Sequence, residues 1–184
     1  MSLVDSEKLP HKWEPPEFSL KNTDGQTVSL SDLADKKGVL VVFTCNHCPY
    51  AKAAWPLLID LYKQFGDEIG FVAINSNDGE MYPEDSFKEM KKEVEKRKIE
   101  FAYLHDETQE IAQKFKAQCT PDPYLFKNKD RKLMLYYHGR INDNWQNSDQ
   151  VTQENLKEAL GGVTKDQAPP DNQPASMGCS IKWK

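Results

Sequence analysis

Cys45 and Cys48 are separated by two residues in the stretch TCNHCPYA, between an apolar run and a helical pattern, and thiols spaced this way do redox or metal chemistry. Pro49 suits the first turn of a helix, where its missing N–H costs nothing. Cys48 then falls at or next to the N-cap. There a thiolate faces free backbone N–H groups and the positive end of the helix dipole, which lowers its pKa and raises its reactive fraction. Cys45 sits one turn earlier, in the loop, without that help. Cys48 is therefore read as the nucleophile and Cys45 as the thiol that resolves its adduct. Cys119, followed by Thr120 and Pro121, is the second resolving candidate. Free cysteines are also often small buried hydrophobes. Cys179 belongs to a terminal segment, and a structural or idle role is expected for it.

His47 and Tyr50 flank the nucleophile. His47 either stabilises the thiolate or shuttles its proton, or else forms the rim that a substrate touches. Tyr50 on the first helical turn faces substrate. Arg140, in YYHGRINDN, is either a solvated surface arginine or a group that holds a thiolate or an anionic substrate. A metal reading competes. A single C-x-x-C is a poor zinc site, since structural zinc takes four ligands, unless His47, Cys119 or His138 completes the set. No metal and no cofactor are assigned. Asp78, Glu80, Glu84 and Asp85 form an acidic cluster, read as loop plus helix start because calcium-loop spacing is missing.

The elements that must position these groups follow from periodicity. Asp24-Gly25 between two alternating runs marks a hairpin. Residues 38–43 (GVLVVF) and 69–74 (IGFVAI) are continuous apolar runs of the kind buried on both faces of a sheet. Between them, residues 49–65 carry apolar side chains at helical spacing, giving a right-handed βαβ unit. A charged amphipathic helix over 85–97, a strand over 101–104 and a helix over 107–115 come next. Strands over 124–127 and 133–137 are joined by a turn at Asn128-Lys129-Asp130. A last helix over 152–160 is capped by Gly161-Gly162. The remainder is Pro-rich, polar and expected to be extended.

The 184 residues fit one domain, and the net charge of −5 argues against nucleic acid or an anionic membrane as partner. The N-terminus lacks the apolar core of a secretory signal, and no apolar run matches a membrane span, so a cytoplasmic location is the expectation. Four cysteines with one close pair do not form a disulfide framework.

VLVVFTCNHCPYA resembles the strand-loop-helix of thioredoxins and of AhpC/TSA (redoxin, TlpA-like and peroxiredoxin-like) thiol proteins. The resemblance implies a thioredoxin fold: α/β, three layers α/β/α around a central mixed sheet, with an N-terminal β-hairpin and a βα insertion. It divides the chain into an extension (1–17), the thioredoxin-like domain (18–162) and an extended tail (163–184). It also implies a cis-proline at Pro121 beside the active cysteines. The segment CPYA looks like a glutaredoxin CPYC with Ala51 in place of the second cysteine. Val42 occupies the position of thioredoxin's buried acid. Against the peroxiredoxin signature, Cys45 stands for the threonine and Val41 for the proline. The activity implied is thiol–disulfide exchange on a protein or small-molecule disulfide, with a thiol reductant such as thioredoxin or glutathione. Thiol peroxidase chemistry and a non-catalytic thiol or copper carrier are the alternatives.

Overall fold

A computed structural model describes residues 3–10 and 12–184. Its strands are β1 (Leu3–Asp5), β2 (Ser19–Asn22), β3 (Thr27–Ser29), β4 (Gly38–Phe43), β5 (Ile69–Asn75), β6 (Ala102–His105), β7 (Cys119–Thr120), β8 (Asp122–Lys129), β9 (Lys132–His138) and β10 (Met177–Ser180). The helices are α1 (Pro49–Phe65), α2 (Phe87–Arg97), α3 (Glu110–Phe115) and α4 (Asn155–Thr164). Seven strands form one mixed sheet in the order β3-β2-β6-β5-β4-β8-β9. In it β4, β5 and β6 run parallel, while β8 is antiparallel to β4.

The central strands explain their composition. Every residue of β4 and β5 is buried, as the unbroken apolar runs require. Alternate side chains serve two cores. Leu40, Val42 and Phe71 point to the face covered by Trp55, Leu58 and Leu61 of α1 and by Leu156 and Leu160 of α4. Val39, Val41, Phe43, Val72 and Ile74 point to the face covered by Ile111, Ala112 and Phe115 of α3. The result is helices on both faces of a mixed sheet. The Asp24-Gly25 hairpin is present, with Gly25 at φ +92°, and α1 spans the interval its periodicity indicates.

Several boundaries differ from the sequence reading, each for a local reason. The β8–β9 turn is Asp130-Arg131, not 128–130. Both its residues have positive φ (54° and 65°), the conformation of a two-residue hairpin turn, and Lys129 still pairs with Lys132. α2 starts two residues later than 85, because Asp85 turns inward and Ser86 becomes the N-cap. α3 starts at Glu110, where the Asp106 carboxylate accepts the N–H groups of Ile111 and Ala112. Gly161 and Gly162 do not cap the last helix but lie inside it. A Cβ on Gly162 would sit 2.3 Å from the Tyr136 hydroxyl oxygen, so that glycine serves packing.

The largest difference concerns the chain ends. The segment read as an extended tail folds back, and β10 lies between β1 and β7 in a second, antiparallel sheet. It is anchored on both sides. The Ser176 hydroxyl donates to Pro121 O (2.6 Å), Ile181 N–H donates to Gln118 O (3.1 Å), and Lys182 N–H donates to the Asn77 side chain (2.9 Å). Ile181 is buried in the α3-side core. From the N-terminal extension, Trp13 packs against Phe115, Tyr124 and Phe126, with ring centroids 5.7–6.4 Å apart. Among the described residues no helix is long and apolar enough to cross a membrane. Truncating a buried isoleucine typically costs about 2–5 kcal/mol. Ile181→Ala should therefore lower unfolding stability in urea by that order; a loss below about 0.5 kcal/mol would mean the terminal segment is not part of the core.

Candidate active site

Cys48 is the N-cap residue of α1, with Pro49 at the first helical position, and its carbonyl accepts the N–H of Lys52 (2.9 Å). The loop before it is tightly held. The indole of Trp55 donates to Cys45 O (3.3 Å). Asn46 donates its backbone N–H to Asp85 Oδ1 (2.7 Å) and its amide to Glu84 O (2.8 Å), and its amide oxygen accepts from the Tyr103 hydroxyl (3.0 Å). His47 bonds the same carboxylate twice, through its backbone N–H and through Nδ1. Asn77 supplies a further donor to Asp85 at 2.7 Å.

The sulfur cluster is the centre of the site. Cys179 Sγ lies 2.6 Å from Cys48 Sγ, brought there by β10 from 131 residues away. Cys45 Sγ is 3.3 Å from Thr120 Oγ1, and Cys48 Sγ is 3.5 Å from Thr120 O. All of these sulfurs are buried. The pKa of Cys48 is lowered from 9.0 to about 5. The Cys45 thiol is the largest cause. Burial opposes it, and the Cys179 thiol and the backbone N–H groups of Ala51 and Cys179 add to the lowering. Ala51 is the third residue of α1, so its N–H is one of the free donors at the helix start that favour a thiolate, although the sulfur closes no side-chain cap bond. The partners move the other way. Burial and the Cys48 charge hold Cys45 well above its ordinary range, and burial pushes Cys179 up to about 12. One thiolate is thus flanked by two thiols.

The remaining residues read from sequence distribute unevenly. The Thr120–Pro121 bond is cis and lies beneath β10. Cys119 is adjacent to Thr120 in a strand, so it points away from Cys45 and Cys48. Its sulfur faces Pro121 O (3.8 Å) and Ser176 O (4.0 Å), and burial pushes its pKa up. Tyr50 packs against Trp145 with the rings tilted by 33° (3.9 Å between centroids), and both line a cleft of about 290 Å³ with Pro121, Arg140 and Met177. Arg140 is tied to Asn155 and Gln153 (2.8 Å each) at the wall of that cleft. Val42 is part of the α1-side core.

Two residues of the cluster are assigned elsewhere by the sequence reading, Asp85 to a loop and helix start and Cys179 to a structural or idle role; the structure brings both to the site. Asp85 looked like one of several loop acids. Cys179 shares only a two-residue alternation with Ile181, too short a signal to mark a strand. As a metal centre, Cys45, His47 and Asp85 bring one ligand atom each to within 4.8 Å of one another. Both Asp85 oxygens already accept hydrogen bonds from the loop, so an ion there would displace a bond that positions His47.

Residues 14–136, more than half of the chain, match the AhpC/TSA family. The chain belongs to that family. A thiol-disulfide oxidoreductase, ResA, from Oceanobacillus iheyensis is 30% identical over 116 residues, covering 61% of this chain and 57% of the relative. An uncharacterized conserved protein from Geobacillus kaustophilus shares 41% identity and a TM-score of 0.93, over 100% of this chain and 97% of that one. The thioredoxin domain of a Bacteroides vulgatus thiol-disulfide oxidoreductase, 19% identical, superimposes with a TM-score of 0.58 over 72% of this chain and 91% of its own. This AhpC/TSA protein therefore has the thioredoxin fold.

The buried His47–Asp85 pair gives a pH test. Burial alone would raise the Asp85 pKa, but the bonds from His47, Asn77 and Asn46 outweigh it and hold the carboxyl below 3.8. The bond to Asp85 raises His47 above 6.5 against the opposing effect of burial. A depressed acid stabilises the fold above its unfolded pKa and loses that contribution as pH falls through the folded one. A raised histidine stabilises below its unfolded pKa and loses its contribution as pH rises through the folded one. Breaking a buried pair costs about 3–5 kcal/mol. The stability gap between wild type and Asp85→Asn should thus be widest between pH 3.8 and 6.5 and narrow on both sides. A gap independent of pH would show that the pair is not ionic.

Proposed function

We propose that this AhpC/TSA protein is a thiol–disulfide oxidoreductase whose attacking group is the Cys48 thiolate. The observation that carries the reading is the cluster itself: a helix-start thiolate, with its pKa near 5, against the thiols of Cys45 and Cys179. A thiolate with a neighbouring thiol does one thing well. It attacks a disulfide sulfur, expels a thiolate, and hands the resulting mixed disulfide to its neighbour. The sequence reading gives that resolving role to Cys45; the structure places a second thiol, Cys179, in contact with the same sulfur.

The substrate we propose is a disulfide of a protein or small molecule, with a thiol such as thioredoxin or glutathione returning the enzyme to its reduced form. The cleft lined by Tyr50, Trp145, Arg140 and Pro121 lies beside the helix start and is where we place the substrate. Its aromatic wall would take an apolar group, and Arg140 an anionic one.

Turnover of a small aromatic disulfide and of insulin by the reduced protein tests the reading. Wild type should reduce at least one of them, and Cys48→Ser should lose more than about a hundredfold of that rate. Hydrogen peroxide consumption by wild type with neither disulfide reduced would transfer the chemistry to thiol peroxidation. Activity that survives in Cys48→Ser would end the proposal.

A further inference from the structure

We propose that Cys179 is the resolving thiol of the Cys48 reaction, closing a Cys48–Cys179 disulfide that fastens the C-terminal strand to the start of α1. This inference rests on the oxidoreductase reading of Cys48 and deepens it. The first support is proximity. The two sulfurs are 2.6 Å apart, inside ordinary nonbonded contact, so little motion separates them from the roughly 2.05 Å of an S–S bond.

The second support is that β10 is built to hold Cys179 there. Cys179 pairs with Thr120 in the strand ladder, next to the cis bond to Pro121. Gly178 makes that approach possible: a Cβ on it would lie 2.1 Å from Thr120 O and 2.7 Å from the Thr120 carbonyl carbon. On the other side of the cysteine, Lys182 O accepts from Asp78 N–H (2.8 Å) and from the Gln109 amide (2.8 Å). The same lysine lies over the ring of Tyr82 (5.9 Å), which stacks on His47 (5.4 Å). A terminal segment bonded on both sides of one cysteine presents that cysteine in a fixed place.

The third support is a division of labour between the two neighbours. Cys45 is held by its own loop and by Thr120 Oγ1, and its thiol is the largest contributor to keeping Cys48 ionised. It acts as a positioning residue for the nucleophile. Cys179 comes from a separate strand, and its sulfur already touches the one it attacks.

The steps balance. Cys48–S⁻ attacks R–S–S–R′, forming Cys48–S–S–R and releasing R′–S⁻, which takes a proton from water. Cys179 then loses its proton and attacks Cys48 Sγ. The Cys48–Cys179 bond forms as the Cys48–SR bond breaks, and R–S⁻ leaves with the Cys179 proton. The substrate disulfide gains two electrons and the two cysteines lose them.

Peptide mapping decides the pairing. The full chain is reduced, desalted, exposed to oxidised glutathione, blocked with iodoacetamide and digested with trypsin without reductant. Cys45 and Cys48 then share the peptide 38–52, while Cys179 lies in 166–182. The expected product joins these two peptides in wild type and in Cys45→Ser, and is missing from Cys48→Ser. In Cys179→Ser, glutathione should instead stay attached to Cys48. Gly178→Ala, which displaces the strand while keeping every thiol, should slow the joining by tenfold or more with an unchanged circular dichroism spectrum. A disulfide confined to 38–52, with Cys179 alkylated, would overturn the inference and leave the oxidoreductase reading standing. No oxidation of Cys48 in wild type would remove both.

Discussion

A negative charge on a buried sulfur needs compensation from its surroundings, and the architecture around Cys48 supplies it. The helix start offers a backbone N–H from Ala51, the loop offers the Cys45 thiol, and β10 offers the Cys179 thiol and its N–H. Each donor arrives on a different element, so the charge is stable only when loop, helix and terminal strand are all in place. Asp85 is the anchor of the first of these. Its carboxylate gathers Asn46, His47 and Asn77, and so fixes the loop that carries Cys45.

The carboxylate in the site does not come from the strand that leads into it. Val42 of β4 faces the apolar core, and the acid instead enters from the short turn before α2. It acts on His47 through a direct bond and raises Cys45 by its charge. The imidazole therefore sits between a permanent anion at Asp85 and a thiolate at Cys48, and both favour its protonated form. A cation in that place balances two negative charges that would otherwise repel across the loop.

What could be read from sequence was local. The choice of Cys48 over Cys45 rests on Pro49 and on the apolar spacing of the following helix, which are neighbours in the chain. The buried strands announce themselves by composition, and Pro121 by its place before β8. The roles of Asp85 and Cys179 depend on contacts over 38 and 131 residues. Nothing in PEDS distinguishes an acid that turns inward from one that starts a helix. The tail was harder still, because its Pro-rich, polar stretch hides a four-residue strand whose partners are both elsewhere in the chain. Cys119 shows the converse. It lies beside the cis-proline, yet strand alternation turns it to the opposite side from the cluster.

At neutral pH Cys48 carries the charge of the trio. Thiolate absorbance near 240 nm, titrated in the reduced protein and in Cys48→Ser, measures it directly. The difference between the two curves should rise with a midpoint near pH 5. A difference that rises only near pH 9, the ordinary thiol value, would mean that the surrounding donors do not hold a thiolate at Cys48.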